Sequence, residues 1–295
     1  MDHVYLDYTA EELAVAVDAG SNVPPAEFEA IQKRNGADTA RTRTIIPCKI
    51  DIPYGPDELQ KIDVYYPRDK KAGGHPVVLD IHGGGWRRGS KNGRGFPAEA
   101  LVPKGAIWAT VDYGLAPKYK IAAIVDQVRA ALAWVYKNAA EFGGDRNRIT
   151  VTGHSAGGHL AAMLLVEGWH AKHGVPEGVI KGAIASSGVY DMEAVARAPR
   201  GYNDELGMDL AEARAHSPIH HLPKRACPLI IAYGLGETRE FVRQSRAFAK
   251  AWRDAGLTVA EIECPGDHHF TIDRTFIDPK TPLHKAAMKM IGLAA

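Results

Sequence analysis

Hydrophobic and polar positions alternate with two different periods along the chain, and the change between them predicts the order of elements. Over roughly the first forty residues the pattern indicates short helices: Thr9 and Glu12 fit a capping box, and Pro24 with Pro25 can begin a second helix. The segments "TIIPCKIDI", "QKIDVYYP", "HPVVLDIHGGGW" and "GAIWATVDYGLAP" are then typical of strands. Breakers between the first three segments predict adjacent antiparallel or mixed strands at the start of a sheet.

After Pro117 the pattern alternates between helix and strand. Ile124, Val128 and Leu132 recur at helical spacing, and helical segments separate the strands "RITVTG", "VIKGAIASSG", "PLIIAYG" and "TVAEIEC". Such alternation implies right-handed crossovers between parallel strands. We therefore predict an α/β fold with a mostly parallel sheet of about eight strands and helices on both faces. Residues 1–44 would form a small helical N-terminal cap and residues 45–295 the main domain.

Composition narrows the class of protein. The chain has 295 residues, 45% of them hydrophobic, which suits one large α/β domain. A formal net charge of +1 gives no field to hold nucleic acid or an anionic membrane surface, so we expect a small-molecule substrate instead. The acidic N-terminus lacks a signal-peptide pattern, and no apolar run reaches the roughly 18 residues of a bilayer span. We expect a cytoplasmic protein, with monomer and homo-oligomer both open.

Ser155 is the first candidate for chemistry, in the pentapeptide "GHSAG". A strand is predicted to end at Gly153 and a helix to begin at Ser155, and flanking glycines permit the strained turn that exposes a nucleophilic serine. The competing interpretation is an ordinary strand-to-helix turn in which Ser155 caps the helix. The motif by itself leaves both interpretations open.

A second loop, "HGGGW" from His82 to Trp86, follows the apolar strand "PVVLDI". Consecutive glycines let backbone N–H groups face a ligand without interference from Cβ atoms, which suits an oxyanion hole. A phosphate cradle is the weaker alternative because GxxxxGK[ST] is absent, and a plain glycine loop is the third. The cations that follow are expected to be solvated: Arg87, Arg88, Lys91 and Arg94.

A third loop, "CPGDHHF", follows the last strand and carries His268 and His269. A nucleophilic serine needs a base, and imidazole, with an unperturbed pKa near 6.5, is the usual one. The segment "GLGETREF" offers Glu237 and Glu240 as the carboxylate that would orient this imidazole. Because strand ends of a parallel sheet meet at one edge, we expect the three loops to converge in the order serine, acid, histidine.

Histidines elsewhere fit a metal site poorly. His216, His220 and His221 precede a strand, and His170 with His173 share a helix face, without HExxH or comparable spacing. We expect no metal ligands, and the chemistry of a nucleophilic serine requires no organic cofactor. The separated Cys48, Cys227 and Cys264 lack CxxC spacing and are expected to be buried free thiols.

The motifs together resemble those of α/β-hydrolases of the hormone-sensitive-lipase and arylformamidase (kynurenine formamidase) type. The resemblance runs from about residue 45 to the C-terminus and is carried by "DIHGGGW", "VDYGLAP", "ITVTGHSAGGHLAA", "SSGVYD", "HSPIHHLP" and "AYGLGETREFVRQSRAF". It implies an α/β-hydrolase catalytic domain in residues 45–295. It also implies Ser155 as nucleophile, Glu237 as the acid and His269 as the catalytic histidine. Glu237 stands where these enzymes usually have Asp, so Glu240 stays an alternative acid.

The resemblance further implies an oxyanion hole and a reaction. The backbone N–H groups of Gly84, Gly85 and Ala156 would hold the oxyanion. A serine hydrolase of this type would cleave a small carboxylic ester or an aryl formamide through an acyl-enzyme. The alternatives are a carbohydrate-ester or feruloyl-type esterase and, from another class, a non-catalytic ligand-binding protein on the same fold. The N-terminal helices and residues 191–218 are the expected covers of the site.

Overall fold

A single eight-stranded sheet organises the chain. In the computed structural model, which describes residues 2–69 and 71–294, its order is β1-β2-β4-β3-β5-β6-β7-β8. The pairs β1–β2 and β2–β4 are antiparallel, and all the other pairs are parallel. The strands are β1 (Cys48–Pro53), β2 (Lys61–Tyr65), β3 (His75–Ile81), β4 (Ile107–Val111), β5 (Gly144–His154), β6 (Ile180–Ser186), β7 (Leu229–Gly234) and β8 (Val259–Cys264). The predicted mostly parallel sheet is confirmed.

Helices precede the sheet and fill its crossovers. In chain order they are α1 (Ala10–Val17), α2 (Pro25–Ile45), α3 (Ala98–Leu101), α4 (Ile121–Asn138), α5 (Ala156–Met163), α6 (His170–His173), α7 (Glu193–Arg197), α8 (Asn203–Leu206), α9 (Leu210–Ala215), α10 (Arg239–Asp254), α11 (Ile272–Ile277) and α12 (Pro282–Ile291). Within the described ranges, none of them combines the length and apolar character that crossing a bilayer requires.

The predicted starts of the two N-terminal helices are confirmed, but the predicted start of the first strand is wrong. Thr9 and Glu12 form the capping box of α1, and Pro25 opens α2 after Pro24. However, α2 is one helix of 21 residues that includes Ile45, so the first strand begins at Cys48 and not at Thr44. A boundary between a cap and a catalytic domain at residue 44 stays a prediction.

Two hydrophobic layers cover the faces of the sheet. All seven residues of β3 and all five of β4 are buried, as central strands with helices on both sides require. One apolar layer includes Leu132 of α4 and Phe248 of α10, and the other includes Leu283 and Met288 of α12. This arrangement fixes the strand ends, from which the loops carrying the candidate residues extend.

Candidate active site

Ser155 occupies a strained turn between β5 and α5. Its φ of 58° and ψ of −123° lie outside the regions that non-glycine residues favour, which costs on the order of 1–3 kcal/mol. A Cβ atom on Gly153 would lie 2.2 Å from the Gly157 carbonyl oxygen, and one on Gly157 would lie 2.0 Å from that of Ile81. Glycine is therefore required on both sides of Ser155.

The turn differs from an ordinary helix cap. The side chain of Ser155 makes no capping hydrogen bond with any described residue, and its backbone N–H donates to the Ser186 carbonyl at 2.9 Å. The helix begins at Ala156, one residue later than the sequence predicts. Ser155 therefore occupies the N-cap position of α5, and its carbonyl accepts from the His159 N–H at 3.1 Å, but its hydroxyl does not cap the helix.

Glu237 and His269 form a buried pair at the ends of β7 and β8. The His269 Nδ1 lies 2.8 Å from the Glu237 Oε2, and both side chains are almost fully shielded from solvent. The Glu237 Oε1 accepts hydrogen bonds from the Ser187 hydroxyl at 2.6 Å and from the Gly234 N–H at 2.7 Å. Both oxygens of the Glu237 carboxylate therefore have hydrogen-bond partners.

This hydrogen bonding sets the protonation of the pair. Burial by itself would raise the pKa of the Glu237 carboxyl, but the hydrogen bonds from His269, Ser187 and Gly234 outweigh burial and lower that pKa. An ionised carboxylate only accepts, so the His269 Nδ1 carries the hydrogen. This tautomer leaves a lone pair on Nε2, which can accept a proton.

Glu240 lies in the first turn of α10 and faces different partners. Its two oxygens accept hydrogen bonds from the Arg243 guanidinium, and one of them also accepts from the Gln244 amide at 2.8 Å. Of the two carboxylates that the sequence offers, the structure brings Glu237 to His269.

Ser155 and His269 line one cavity of about 140 Å³, which we name the Ser155 cavity. Within the described part of the chain, the buried Nε2 of His269 has no hydrogen-bond partner. A cavity of about this size can hold a benzene-sized molecule. The other residues that line it are Ala19, Phe28, Gln32, Asn35, His82, Gly83, Gly84, Gly85, Arg88, Gly89, Ser90, Gly93, Arg94, His154, Tyr202, Phe270 and Asp273.

The glycine loop borders the same cavity, and among the described residues the N–H groups of Gly84 and Gly85 have no hydrogen-bond acceptor. Gly84 and Gly85 have φ of 119° and 62°, and a Cβ atom on Gly84 would lie 1.9 Å from the Arg88 carbonyl oxygen. The Gly83 carbonyl accepts from the His82 ring at 2.6 Å, and the Gly84 carbonyl accepts from the Arg88 N–H at 3.1 Å. In a trans peptide the N–H points opposite to the carbonyl, so the amides of Gly84 and Gly85 point away from the loop interior.

The third expected donor, Ala156, directly follows Ser155 as the first residue of α5. The first N–H groups of a helix have no acceptor within it, and the positive end of the helix dipole lies there. Among the described residues, the N–H groups of Gly84, Gly85 and Ala156 donate to no protein acceptor.

His154 supports the loop that carries His269, a role that sequence reasoning did not assign. Its Nε2 donates to the His269 carbonyl at 2.6 Å, and its Nδ1 lies 3.7 Å from Asp273. Burial lowers the pKa of His154 to about 4, so the ring stays neutral near pH 7. Asp273 is in turn held by Arg94, which also binds the fully buried Asp80 at 2.8 Å.

Two covering segments close the Ser155 cavity. Phe28, Gln32 and Asn35 come from α2, and Tyr202 comes from the stretch 191–218. The Phe28 and Phe270 rings are in contact, with centroids 4.7 Å apart. Both segments that the sequence offers as covers therefore border the cavity.

One group of side chains has the spacing of metal ligands among residues 2–69 and 71–294. It joins His220 to Asp191 and Glu193, whose ligand atoms lie within 4.8 Å of one another. Glu193 also pairs with Arg197 and Arg214 at 3.5 and 3.8 Å, so the surrounding cations compensate part of the negative charge.

Comparison with known proteins identifies the family of the chain. A family model described as BD-FAE matches residues 62–252. The chain is 35% identical to the kynurenine formamidase of Danio rerio, over 86% of this chain and 85% of that protein. It is 32% identical to esterase LipQ of Mycobacterium tuberculosis, over 74% of this chain and 56% of that protein.

A solved structure supports the same fold. Esterase B from Lactobacillus Rhamnosis superimposes with a TM-score of 0.72 at 22% identity, over 96% of this chain and 95% of that one. The motifs, the sheet and the relatives agree with the resemblance drawn from the sequence. The chain belongs to the BD-FAE family and is an α/β-hydrolase of the hormone-sensitive-lipase and arylformamidase type.

Proposed function

We propose that the protein is a serine hydrolase that cleaves a small aryl formamide or carboxylic ester through Ser155. The observation that carries this proposal is the buried Glu237–His269 pair: His269 lines the same cavity as the strained Ser155, and its Nε2 has no hydrogen-bond partner among the described residues. Strained backbone, a preoriented imidazole and unengaged amides each cost free energy of folding. A catalytic role would explain why the protein maintains all three features despite this cost.

The first half of the reaction forms an acyl-enzyme. The His269 Nε2 takes the Ser155 proton as the serine oxygen attacks the acyl carbon, and Glu237 stabilises the resulting imidazolium. The N–H groups of Gly84, Gly85 and Ala156 bind the oxyanion, where one donor is typically worth about 100- to 1000-fold in rate. Collapse of the tetrahedral intermediate expels an arylamine or alcohol, which takes the proton from His269.

The second half releases the acid. His269 removes a proton from a water molecule that attacks the acyl-enzyme, and the same amides bind the second oxyanion. Protonation of the Ser155 oxygen by His269 then frees the acid and restores the starting state. Residues of this chain carry every proton transfer in the scheme.

The size and lining of the Ser155 cavity support a small acyl group with an aromatic leaving group. A volume of about 140 Å³ leaves little room beyond one ring or a short chain, and Phe28, Tyr202 and Phe270 offer aromatic contacts. Similarity to a kynurenine formamidase over most of both chains favours aryl formamides as the first substrate class. Similarity to an esterase supports small esters as the second.

Hydrolysis of two substrates by matched proteins tests the proposal. We expect the wild type to hydrolyse N-formylkynurenine and p-nitrophenyl acetate, and Ser155→Ala to lose at least about 1000-fold in kcat on both. Ser245→Ala is the control for substitution of a buried serine, because Ser245 lies in α10 and does not line the cavity, and it should retain most of the turnover. Equal rates for the wild type and Ser155→Ala would refute the serine mechanism, and hydrolysis of the ester alone would refute the formamide assignment.

A further inference from the structure

Arg88 differs from the other cations of the glycine loop. Arg87 binds Glu205 at 2.7 Å, Lys91 binds Asp51 and Asp63, and Arg94 binds Asp80 and Asp273. Arg88 has no carboxylate within 4.0 Å and no side-chain hydrogen bond among the described residues. The expectation that all four cations are solvated is wrong for Lys91 and Arg94, whose side chains are 1% and 11% exposed. Arg88 is exposed and fits it.

Arg88 nevertheless borders the Ser155 cavity. Its guanidinium carbon lies 5.5 Å from the centroid of the Phe28 ring, so the side chain lies over the aromatic edge of α2. The remaining charged side chains of that lining, Arg94 and Asp273, are hydrogen-bonded to each other at 2.5 Å. Arg88 is therefore the cation of the cavity whose charge no described carboxylate compensates.

Position decides which part of a substrate would meet this charge. Ser155 is buried whereas Arg88 is exposed, and the acyl carbon must reach Ser155. A cavity of about 140 Å³ cannot enclose an acyl group together with a substituted aromatic leaving group. The leaving group therefore extends outward, toward Arg88 and the Phe28 ring.

We propose that Arg88 binds a carboxylate on the leaving group and thereby selects anionic aromatic substrates. A planar guanidinium matches a carboxylate with two parallel hydrogen bonds, and the adjacent ring provides stacking for an aromatic group. This inference rests on the proposed function of Ser155. It adds that the substrate carries an anion beyond the scissile bond.

Two esters that differ only in charge test the inference: 3-acetoxybenzoate and its methyl ester. The ratio of their kcat/KM values, taken within one protein, cancels changes that affect both substrates equally. We expect Arg88→Gln to lower the anionic-to-neutral ratio about fivefold, the upper end for an exposed ion pair, with the neutral ester little affected. Arg88→Lys should retain part of the ratio.

Arg214→Gln is the matched control, because it removes one cation whose side chain is 66% exposed and does not line the cavity. It should leave the ratio unchanged. An equal ratio in the wild type and Arg88→Gln, or an equal fall in Arg214→Gln, would overturn the inference.

A binding measurement separates this inference from the proposed function. Calorimetric binding of 3-hydroxybenzoate and of its methyl ester to Ser155→Ala requires no turnover. A preference for the anion that Arg88→Gln abolishes supports the inference even if no ester is hydrolysed. Loss of hydrolysis without that preference would count against both.

Discussion

Replacement of Glu237 by Gln perturbs one charge at the site and preserves its shape. The amide oxygen of Gln can still accept from the Ser187 hydroxyl and the Gly234 N–H, which lie 2.6 and 2.7 Å from Oε1. The amide nitrogen then faces the His269 Nδ1, at the position where a carboxylate oxygen now lies at 2.8 Å. Because that nitrogen only donates, the ring must place its hydrogen on Nε2.

The size of the effect follows from this change of tautomer. With its hydrogen on Nε2, His269 cannot accept the Ser155 proton, and no carboxylate stabilises the imidazolium. The equivalent exchange of acid for amide in a serine protease triad lowers kcat about 10,000-fold, or about 5.5 kcal/mol of transition-state stabilisation. We expect a loss of that order for Glu237→Gln.

Steady-state kinetics on p-nitrophenyl acetate, with thermal unfolding to monitor the fold, measure the loss. Glu240→Gln is the matched control, because the Glu240 carboxylate binds Arg243 and Gln244 and not His269. We expect this control to keep kcat within about tenfold of the wild type. A folded Glu237→Gln with nearly normal kcat, or an equal loss in Glu240→Gln, would refute the assignment of the acid.

Three further substitutions test other parts of the site. Gly84→Ala should lower kcat at least about 100-fold, because its Cβ would lie 1.9 Å from the Arg88 carbonyl oxygen and would displace the amides expected to bind the oxyanion. A normal kcat would contradict this prediction. Phe28→Ala should raise KM for aromatic esters more than for ethyl acetate, because it removes a ring whose centroid lies 4.7 Å from that of Phe270. Equal changes in KM for the two kinds of ester would argue against an aromatic pocket. Burial lowers the pKa of His159 to about 3 in the folded protein, whereas it is about 6.5 in the unfolded chain. The neutral His159 ring therefore stabilises the fold above pH 6.5, and this stabilisation is lost as the pH falls from 6.5 toward 3. Between neutral pH and about pH 4.5, the free energy of unfolding measured with urea should therefore decrease in His159→Asn by about 2–3 kcal/mol less than it decreases in the wild type. Parallel curves of this free energy against pH would contradict a neutral His159 ring.

The Ser155 turn could be predicted because its requirements are local. Gly153 and Gly157 are needed where the backbones of strand and helix come within a Cβ atom of each other, and both lie two residues from Ser155. Most strand segments could be predicted for the same reason, since each strand is a short apolar segment between breakers.

The supports of the site could not be predicted, because they join residues far apart in the chain. Ser187 reaches Glu237 across 50 residues, and Arg94 reaches Asp273 across 179. Hydrophobic periodicity does not reveal polar contacts between such distant residues. The signal that the sequence does offer is a polar residue at the end of a buried strand, as in "ASSG" at the end of β6.

The length of α2 escaped prediction for a different reason. Its buried positions include Asn35, Thr39 and Thr42, which are polar, so no apolar stripe marks the helix. Thr42 donates to Glu99 at 2.6 Å, and Asn35 accepts from Arg274 at 2.6 Å. Hydrogen bonds to the main domain position this helix, and hydrophobic periodicity does not detect them.

Covalent labelling tests the central claim, that Ser155 is an activated nucleophile, most directly. The wild type would be treated with an excess of an aryl organophosphonate, and intact mass and peptide mapping would locate the adduct. We predict one equivalent on Ser155, no labelling of Ser155→Ala and much slower labelling of Glu237→Gln. A wild type that stays unlabelled, or an adduct that persists in Ser155→Ala, would contradict the account.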